Sequence, residues 1–495
     1  MQIKSLISMS SVLCAALIAA TGCSQDKSSQ NSQLNSSQNG RQEADLQAER
    51  VIEVVDAQGQ PLQAQILIGD KAGSPFADNF ISTNSNGKLG LPAGWTTAQP
   101  VTVDVPGYVR VTQLDQEPGP MRIVMRKQAA TANIELNGKT TGYQTKDFDD
   151  RADFSLILSS IKKSDIMSFS VGSLISPQTD TISVIGYKFD LPSNVALPQQ
   201  KEKYSLVTVN VNKPNYRTYF SDGGTKTVFA VRGHVPFKKM ADAGQNKAPV
   251  YEMVNDISIT GGQIQQVTLN GAKTTLDLNV GAMTFSNKIS YRAPQFASTQ
   301  VVLAVAAAEL ADGYLPSDVK SLRSGETLSM NSFTEYPSQM RFLSVLKNKN
   351  EFDTKAPGAD RFSAALQNAN QSAAPTMLPL LADPEVVNPQ VFQFTLPDSG
   401  NLVPLASSIL ISSVSAREEG DDLNAQAVTE STPNWEIRSR GWVGKLALPQ
   451  FPGKNYLAQG KVEMSLLASS GQVQAQSWDE IIQATTHVTH SSKKY

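Results

Sequence analysis

The sequence has few cysteines, few histidines and little charge. Two cysteines and three histidines occur in 495 residues, and charged residues make up 18%. Lysine and arginine number 43 against 45 aspartates and glutamates, for a formal net charge of −2. Because no excess of positive charge is present, nucleic acid is not an expected partner. Hydrophobic residues still make up 40%, enough for packed cores, and at about 100–200 residues per domain the length predicts several domains.

Long apolar runs are also missing. A transmembrane helix needs about 20 apolar residues in a row, and the sequence has no such stretch. The apolar stretch from Leu6 to Ala20 is shorter, follows Lys4 and precedes small residues, so residues 1–22 are predicted to be an export signal. Ala20-Thr21-Gly22-Cys23 resembles the lipobox of bacterial lipoproteins. The resemblance implies cleavage before Cys23 and acylation of its sulfur and its new amino group.

The lipobox resemblance implies a mature protein held to a membrane by lipid. Ser24 and Gln25 stand where lipoproteins retained in the inner membrane usually have aspartate, so the implied location is the outer membrane. Several acyl chains, at about 0.8 kcal/mol per buried CH₂, anchor a protein firmly. Cys14 leaves with the signal, so the mature chain has one cysteine and forms no internal disulfide. Ordinary secretion, with Cys23 present by chance, is the alternative.

Residues 23–48 are predicted to form a flexible tether behind the lipidated cysteine. The segment is almost entirely serine, glutamine, asparagine and charged residues, and it has no aromatic residue. Such a composition buries too little apolar surface to offset the entropy of ordering. A coil of this length reaches about 25–30 Å, which holds the folded part clear of the lipid headgroups.

Residues 49–127 show short β-branched runs separated by Gly, Asn, Asp and Pro, which predicts antiparallel strands. The segment resembles the carboxypeptidase-regulatory-like (transthyretin-like, Cna-B-like) β-sandwich. The matching positions are Asp56, Gly59, Pro61, Leu62, Thr83, Gly87, Leu91, Pro92, Gly107 and Tyr108. The resemblance implies a rigid spacer or binding module, since these are turn and core positions. Some Cna-B relatives form Lys–Asn isopeptide bonds, but no matching acid and asparagine accompany Lys88 or Lys127 here.

Two further segments, residues 128–285 and 286–495, are also predicted to be mainly β. The first shows period-two apolar runs with frequent turns, typical of a sandwich or open barrel, and residues 191–198 fit a polar crossover loop. In the second, residues 299–310 fit either a buried strand or an alanine-rich helix. Residues 341–352 and 359–372 are predicted helical or looped, 371–390 a long loop, and 481–490 a final strand. The predicted fold class is therefore tandem antiparallel β-sandwiches with a small helical or looped insert.

Motifs for catalysis, cofactors and metals are weak. HExxH, GxSxG and the glycine-rich phosphate loops do not occur. His487 and His490 lie three apart, so on a strand they point to opposite faces and do not share a metal readily. We therefore predict no catalytic residues, no cofactor and no metal. A hydrolase that uses two carboxylates needs no motif, so an enzyme is not excluded.

Two acidic clusters are weak candidates for Ca²⁺. They comprise Asp147, Asp149, Asp150 and Asp153, and Glu418, Glu419, Asp421 and Asp422. Calcium takes six to eight oxygen ligands, and neither stretch has the alternating spacing of a dedicated calcium loop. Nearby basic residues offset part of the charge, so solvated loops are the favoured interpretation.

Aromatic residues supply the remaining candidates for binding. Tyr216 and Tyr219 in one run, and Trp435 and Trp442 in another, are predicted either to form patches for a glycan or partner protein or to pack in cores. The two tryptophans are seven residues apart, so on a continuous strand they face opposite ways and one belongs to the core. Strand aromatics are more often core than platform.

These features favour an outer-membrane lipoprotein that displays non-catalytic β-sandwich modules for binding, with a membrane as partner through its lipid and an envelope protein or glycan as a further partner. The first alternative is an enzyme acting on polysaccharide or peptidoglycan. The second is a structural subunit of an envelope assembly.

Overall fold

Strands dominate the computed structural model, in agreement with the predicted mainly β fold class, and they form several antiparallel sheets. The structure describes residues 50–69, 80–128, 134–143, 152–159, 178–184, 187–196, 203–208, 215–236, 239, 250–310, 313–352, 361–419, 426–449, 459–475 and 477–495.

The chain divides into two units that do not follow sequence order. One, here called the split unit, is built from two stretches, Asp26–Ala129 and Pro379–Tyr495. The other, here called the inserted unit, contains Ala130–Leu378. The predicted boundary between residues 127 and 128 lies close to the point where the unit changes, between Ala129 and Ala130. The predicted segment 286–495, in contrast, contributes to both units. The three consecutive segments themselves stay a prediction.

The strands and helices have the following bounds. The first stretch of the split unit contains β1 Val51–Asp56, β2 Gln65–Ile68, β3 Ile81–Ser82, β4 Lys88–Gly90, β5 Gln99–Asp104, β6 Arg110–Gln116 and β7 Met121–Met125. The inserted unit contains β8 Ile134–Thr141, β9 Ala152–Ser159, β10 Gln178–Val184, β11 Tyr187–Ala196, β12 Lys203–Thr208, β13 Asn215–Phe220, β14 Gly224–Val235, α1 Val250–Met253, β15 Ser258–Leu269, β16 Lys273–Thr275, β17 Leu278–Asn279, β18 Met283–Thr284, β19 Asn287–Arg292, β20 Gln300–Leu310, β21 Gly313–Leu322, β22 Thr327–Ser332, β23 Met340–Asn348 and β24 Phe362–Asn368. The second stretch of the split unit contains β25 Glu385–Asn388, β26 Val391–Gln393, β27 Val403–Glu419, β28 Gln426–Arg440, β29 Lys445–Ala447, β30 Lys461–Ser469, α2 Trp478–Ala484 and β31 His487–Lys494. Short 3-10 helices cover Val254–Asp256, Pro337–Gln339 and Lys349–Phe352.

The turns of the first stretch have the geometry that their sequences predict. The Asp56 carboxylate accepts two backbone hydrogen bonds in its turn, at 2.9 and 2.8 Å. The Asn84 side-chain oxygen does the same in a later turn, at 3.0 Å each. Gly59 and Gly87 have φ of +76° and +69°. A Cβ on Gly87 would lie 2.5 Å from the Val54 carbonyl oxygen, so only glycine fits there.

The split unit has a long sheet with a core on each face. Its strand order within this unit is β31-β30-β27-β28-β6-β5-β2-β3. On one face, the sheet β4-β1-β7 covers a core that includes Ile52, Val54 and Ile123. On the other face, the sheet β25-β26-β29 contributes Phe392 and Leu446 to a second core. The two stretches of chain meet where β6 pairs in parallel with β28.

The first part of the inserted unit is a sheet whose two edges are joined. Its order is β16-β8-β13-β12-β9-β14-β15-β18. Strands β16 and β17 pair in parallel with β8 at one edge, and β18 pairs with β15 at the other. These three strands follow one another along residues 273–284, so one short segment borders both edges of the sheet, which is here called the barrel. Its core includes Leu136, Ile157, Tyr216 and Val228.

The second part of the inserted unit contains the sheet β21-β20-β23-β24 and the separate pair β19-β22. It resolves one open alternative and overturns one prediction. The predicted segment 299–310 contains a strand, β20 (Gln300–Leu310), and no helix. The predicted helical or looped segments 341–352 and 359–372 contain strands β23 and β24, with a 3-10 turn after β23.

Three other local predictions need correction. The predicted crossover loop at residues 191–198 begins inside strand β11, which pairs with β10 and β12. The predicted loop at 371–390 contains strand β25. The first part of the predicted final strand belongs to helix α2, whose capping box joins Ser477 and Glu480 in both directions. Only its second part continues into strand β31.

Candidate functional site

Tyr216 and Tyr219 lie on opposite faces of β13. The side chain of Tyr216 is 3% exposed in the barrel core, and its hydroxyl donates a hydrogen bond of 2.6 Å to the Leu276 carbonyl oxygen. Burial raises the pKa of Tyr216 above its ordinary value, and Asp277 adds to the effect. Tyr219 is half-buried and lies opposite Glu135 on β8. The structure therefore does not bring the two tyrosines together as a stacking surface.

Trp435 and Trp442 pack in the same core of the split unit. The expectation of opposite faces assumed a continuous strand, but β28 ends at Arg440 and Gly441 follows with a φ of +74°. This turn brings Trp442 back to the core that Trp435 occupies. The indole N–H of Trp442 donates to the Leu467 carbonyl oxygen at 2.9 Å. Both tryptophans thus serve packing.

Asp153 is the one described member of its acidic cluster, because Asp147, Asp149 and Asp150 lie outside the described residues. It is 8% exposed on β9, opposite His234 on β14. Two residues earlier on β14 lies Arg232, also buried. Burial lowers the pKa of Arg232, while the nearby Asp153 charge acts in the opposite direction. Asp153 thus lies on a buried strand and not in the solvated loop favoured from the sequence, and the charge near it is that of Arg232.

Arg232 passes through a slot lined by glycines. Its Nη1 donates a 2.5 Å hydrogen bond to the Gly142 carbonyl oxygen. A Cβ on Gly261 would lie 2.9 Å from the Arg232 Nη2, and one on Gly281 would lie 3.1 Å from its Nη1. Gly142 has a φ of +86°. Two glycines, Gly261 on β15 and Gly281 between β17 and β18, therefore leave the space that this guanidinium occupies.

Hydroxyl groups lie near Asp153 and Arg232, and these residues together are here called the polar layer. Ser155 lies opposite Arg232 and, two residues from Ile157, on the same face of β9. The Tyr143 hydroxyl donates to Thr140 Oγ1 at 2.6 Å and lies 2.7 Å from Ser155 Oγ. Burial raises the pKa of Tyr143. This layer was not predicted from the sequence, because its members lie on several separated segments and share no motif.

A row of polar residues crosses the neighbouring strands β30 and β31. Ser465 Oγ lies 2.9 Å from His490 Nδ1, and His490 Nε2 lies 4.0 Å from Glu463 Oε1. Lys461 Nζ approaches the same Glu463 oxygen at 2.8 Å. The order serine, histidine, carboxylate matches that of an activated nucleophile.

The surroundings of this row disfavour catalysis. Ser465 and His490 are only 5% and 1% exposed. Strand β30 pairs with β27 on one side and β31 on the other along nearly its whole length. Its backbone N–H groups are therefore engaged in the sheet instead of being aimed at a developing oxyanion. Strand geometry also places His487 and His490 on opposite faces, as expected for a three-residue spacing.

Glu436 is a buried carboxylate held by two arginines. Arg438 donates to its two oxygens at 2.9 and 3.2 Å, and Arg126 Nε lies 3.7 Å from Glu436 Oε2. Burial alone would raise the pKa of Glu436, but the charges of Arg438 and Arg126 outweigh it and lower the pKa to about 2. The guanidinium of Arg438 also lies over the Trp478 ring, 5.2 Å from its centroid. This carboxylate stays ionised and serves the structure.

Some of the predicted site residues lie outside the described residues, and one acidic cluster is described only in part. Cys23 falls outside, as do Asp421 and Asp422. Glu418 and Glu419 end β27, whose hairpin partner β28 begins at Gln426. Within the described ranges, no three His, Cys, Asp or Glu side chains lie close enough to hold a metal ion. In the same part of the chain, no helix has the length and apolar character needed to cross a membrane.

Comparison with known proteins gives weak results. No protein-family model matches the chain, and no curated protein is similar to it. Among solved structures, an adhesin-like protein from Bacteroides ovatus is 9% identical with a TM-score of 0.15, covering 45% of this chain and 77% of the other. A variant of the major pilin subunit of Bacillus cereus is 8% identical with a TM-score of 0.13, covering 60% and 86%. At these TM-scores the likeness supports no inference about function.

Proposed function

We propose that this chain is a lipoprotein of the outer membrane, anchored through Cys23, which displays non-catalytic β-units toward an envelope protein or a glycan. The lipid anchor rests on the sequence of residues 1–23, with its short apolar stretch and the tetrapeptide that ends at Cys23. The polar tether then separates the folded units from the lipid surface.

One structural observation carries the non-catalytic part of the proposal. Several described side chains that could have formed a binding or catalytic site are engaged in packing contacts instead. The Tyr216 hydroxyl and the Trp442 indole donate to backbone carbonyls, and Glu436 is paired with arginines. Buried groups satisfied in this way stabilise a fold and are poorly placed to bind a substrate.

The anchor is tested by labelling cells that express the chain with radioactive palmitate. We expect label on the wild-type protein, accumulation of the unprocessed precursor when signal peptidase II is inhibited with globomycin, and no label on Cys23→Ser. Cys14→Ser is the matched control, because Cys14 lies within the predicted signal, and it should label normally. An unlabelled wild-type protein would refute the anchor.

An enzyme is the second candidate, and the Ser465–His490–Glu463 row is the observation that favours it. A fluorophosphonate probe reacts with an activated serine, so it tests this row without knowledge of the substrate. We expect no labelling of the purified protein. Labelling that disappears in Ser465→Ala and persists in Ser408→Ala, a serine on the neighbouring strand β27, would establish a hydrolase instead.

A further inference from the structure

The split unit is held together across a very long sequence separation. Strand β6 of the first stretch pairs in parallel with β28 of the second, with Arg110 opposite Trp435 and Thr112 opposite Ile437. The Trp435 indole N–H donates to Thr112 Oγ1 at 2.8 Å, between residues 323 positions apart. We call the β6–β28 pair and its side-chain contacts the seam.

One face of the seam is a buried polar chain beside an aromatic ring. Thr112 Oγ1, which accepts from Trp435, also lies 2.8 Å from Thr102 Oγ1 on β5. The Arg110 guanidinium lies over the Trp435 ring, 4.6 Å from its centroid, and its Nε donates to Asp104 at 3.1 Å. These groups are buried. Separating the two strands would therefore cost free energy, because the indole N–H would lose its acceptor and the guanidinium would lose the aromatic ring.

The other face of the seam carries opposite charges. Glu436 on β28 forms an ion pair with Arg126, the residue after β7, which is one of its two guanidinium partners. Gln128 donates through its side-chain nitrogen to the Asn434 side-chain oxygen, just before Trp435. The first stretch thus supplies a hydroxyl acceptor on one face, and a cation and an amide on the other. The second stretch presents the complementary groups in consecutive residues 434–436.

We propose that β6 and the residues beside it form an intramolecular recognition surface for the strand around Asn434–Glu436, and that the seam retains residues 379–495 on the first stretch after the connecting chain is cut. A break within the inserted unit would then leave the C-terminal stretch bound without covalent continuity. The proposal does not depend on lipidation. If the protein is lipid-anchored, it predicts that a nicked molecule keeps its C-terminal stretch at the membrane.

The test uses the full mature chain with a protease recognition sequence inserted between Gln371 and Ser372. Both residues are exposed in the turn that follows β24, within the inserted unit. After cleavage, size-exclusion chromatography in increasing urea reports the fraction of C-terminal fragment that stays with the N-terminal fragment. The seam variant is Thr112→Val with Arg126→Ala. The matched control is Arg122→Ala, which removes the ion pair with Glu53 inside the first stretch.

We expect the cleaved wild-type protein to elute as one complex without urea. The seam variant should dissociate at lower urea, with a dissociation constant at least about tenfold higher, the equivalent of ~1.4 kcal/mol. Circular dichroism of the uncut variants checks that each is folded, and Thr112→Val alone replaces the double variant if that one is not. Dissociation of the wild-type fragments on cleavage would overturn the proposal. So would a seam variant that dissociates no more readily than Arg122→Ala.

Discussion

At the residue scale, many of the described buried charges and hydroxyls form hydrogen bonds or ion pairs that offset the cost of removing them from water. Glu436 illustrates the balance, because two arginines keep it ionised although burial opposes the charge. Asp318 shows the opposite balance. It is 1% exposed, and burial raises its pKa although Lys320 Nζ lies 3.3 Å away and two backbone N–H groups donate to it. Local geometry, and not residue type, decides which effect wins.

Glu436→Gln should destabilise the protein by about 3 kcal/mol at neutral pH, because two half-buried arginines lose the buried anion between them. The folded-state pKa of about 2 lies below the ordinary value of 4.5. Stability from this carboxylate is therefore fully present above pH 4.5 and is lost as the pH falls toward 2. Urea unfolding at pH 7 and pH 3 measures this effect, and the difference between wild type and variant should shrink at pH 3. An equal difference at both pH values would contradict the assignment.

Tyr216→Phe should lower the free energy of unfolding by about 1–2 kcal/mol, since the Leu276 carbonyl loses a buried donor. Tyr219→Phe is the matched control on the same strand, and its half-buried ring should give a smaller change. Thermal unfolding of both variants gives the comparison. Equal losses would show that the Tyr216 hydroxyl is not a special contact of the barrel core.

At the element scale, close approach of strands in the barrel depends on glycines around Arg232. Gly281→Ala should cost about 1–3 kcal/mol, because its Cβ would lie 2.7 Å from the Gly142 carbonyl oxygen and 3.1 Å from Arg232 Nη1. Gly90→Ala is the control, since a Cβ there meets nothing within 4 Å. Chemical denaturation distinguishes the two. A Gly281 variant as stable as the Gly90 variant would refute the slot.

Element type was predictable where one face of a strand is exposed, and difficult where both are buried. Strand β7 alternates buried and half-buried residues, so its period-two pattern is visible in the sequence. Strands β20 and β23 are buried on both faces along most of their length, so their apolar runs show no period and resemble helices. Helix α2 did carry a readable signal, the Ser477–Glu480 capping box, which the β-branched residues after it concealed.

At the scale of the whole molecule, the chain order hides the architecture. Composition and turn residues predicted a mainly β protein, and Gly59 and Gly87 have the turn geometry expected of them. The pairing of β6 with β28 left no local trace, because a sheet partner can come from any distance along the chain. The polar layer around Arg232 left no sequence signal either, since its members lie on or beside β8, β9 and β14, which are far apart in the sequence. The sequence left two interpretations open for the aromatic candidates, a core position or an exposed binding surface, and the contacts in the structure distinguish them.

The proposed display of β-units from a membrane depends on how the mature chain begins. The most direct measurement is mass spectrometry of the N-terminal peptide of the protein extracted from outer membranes. We expect that peptide to start at Cys23 and to carry a diacylglycerol thioether and an amide-linked acyl chain. A mature N-terminus without lipid, at Cys23 or at any other residue, would contradict the proposal that the β-units are displayed from a lipid anchor.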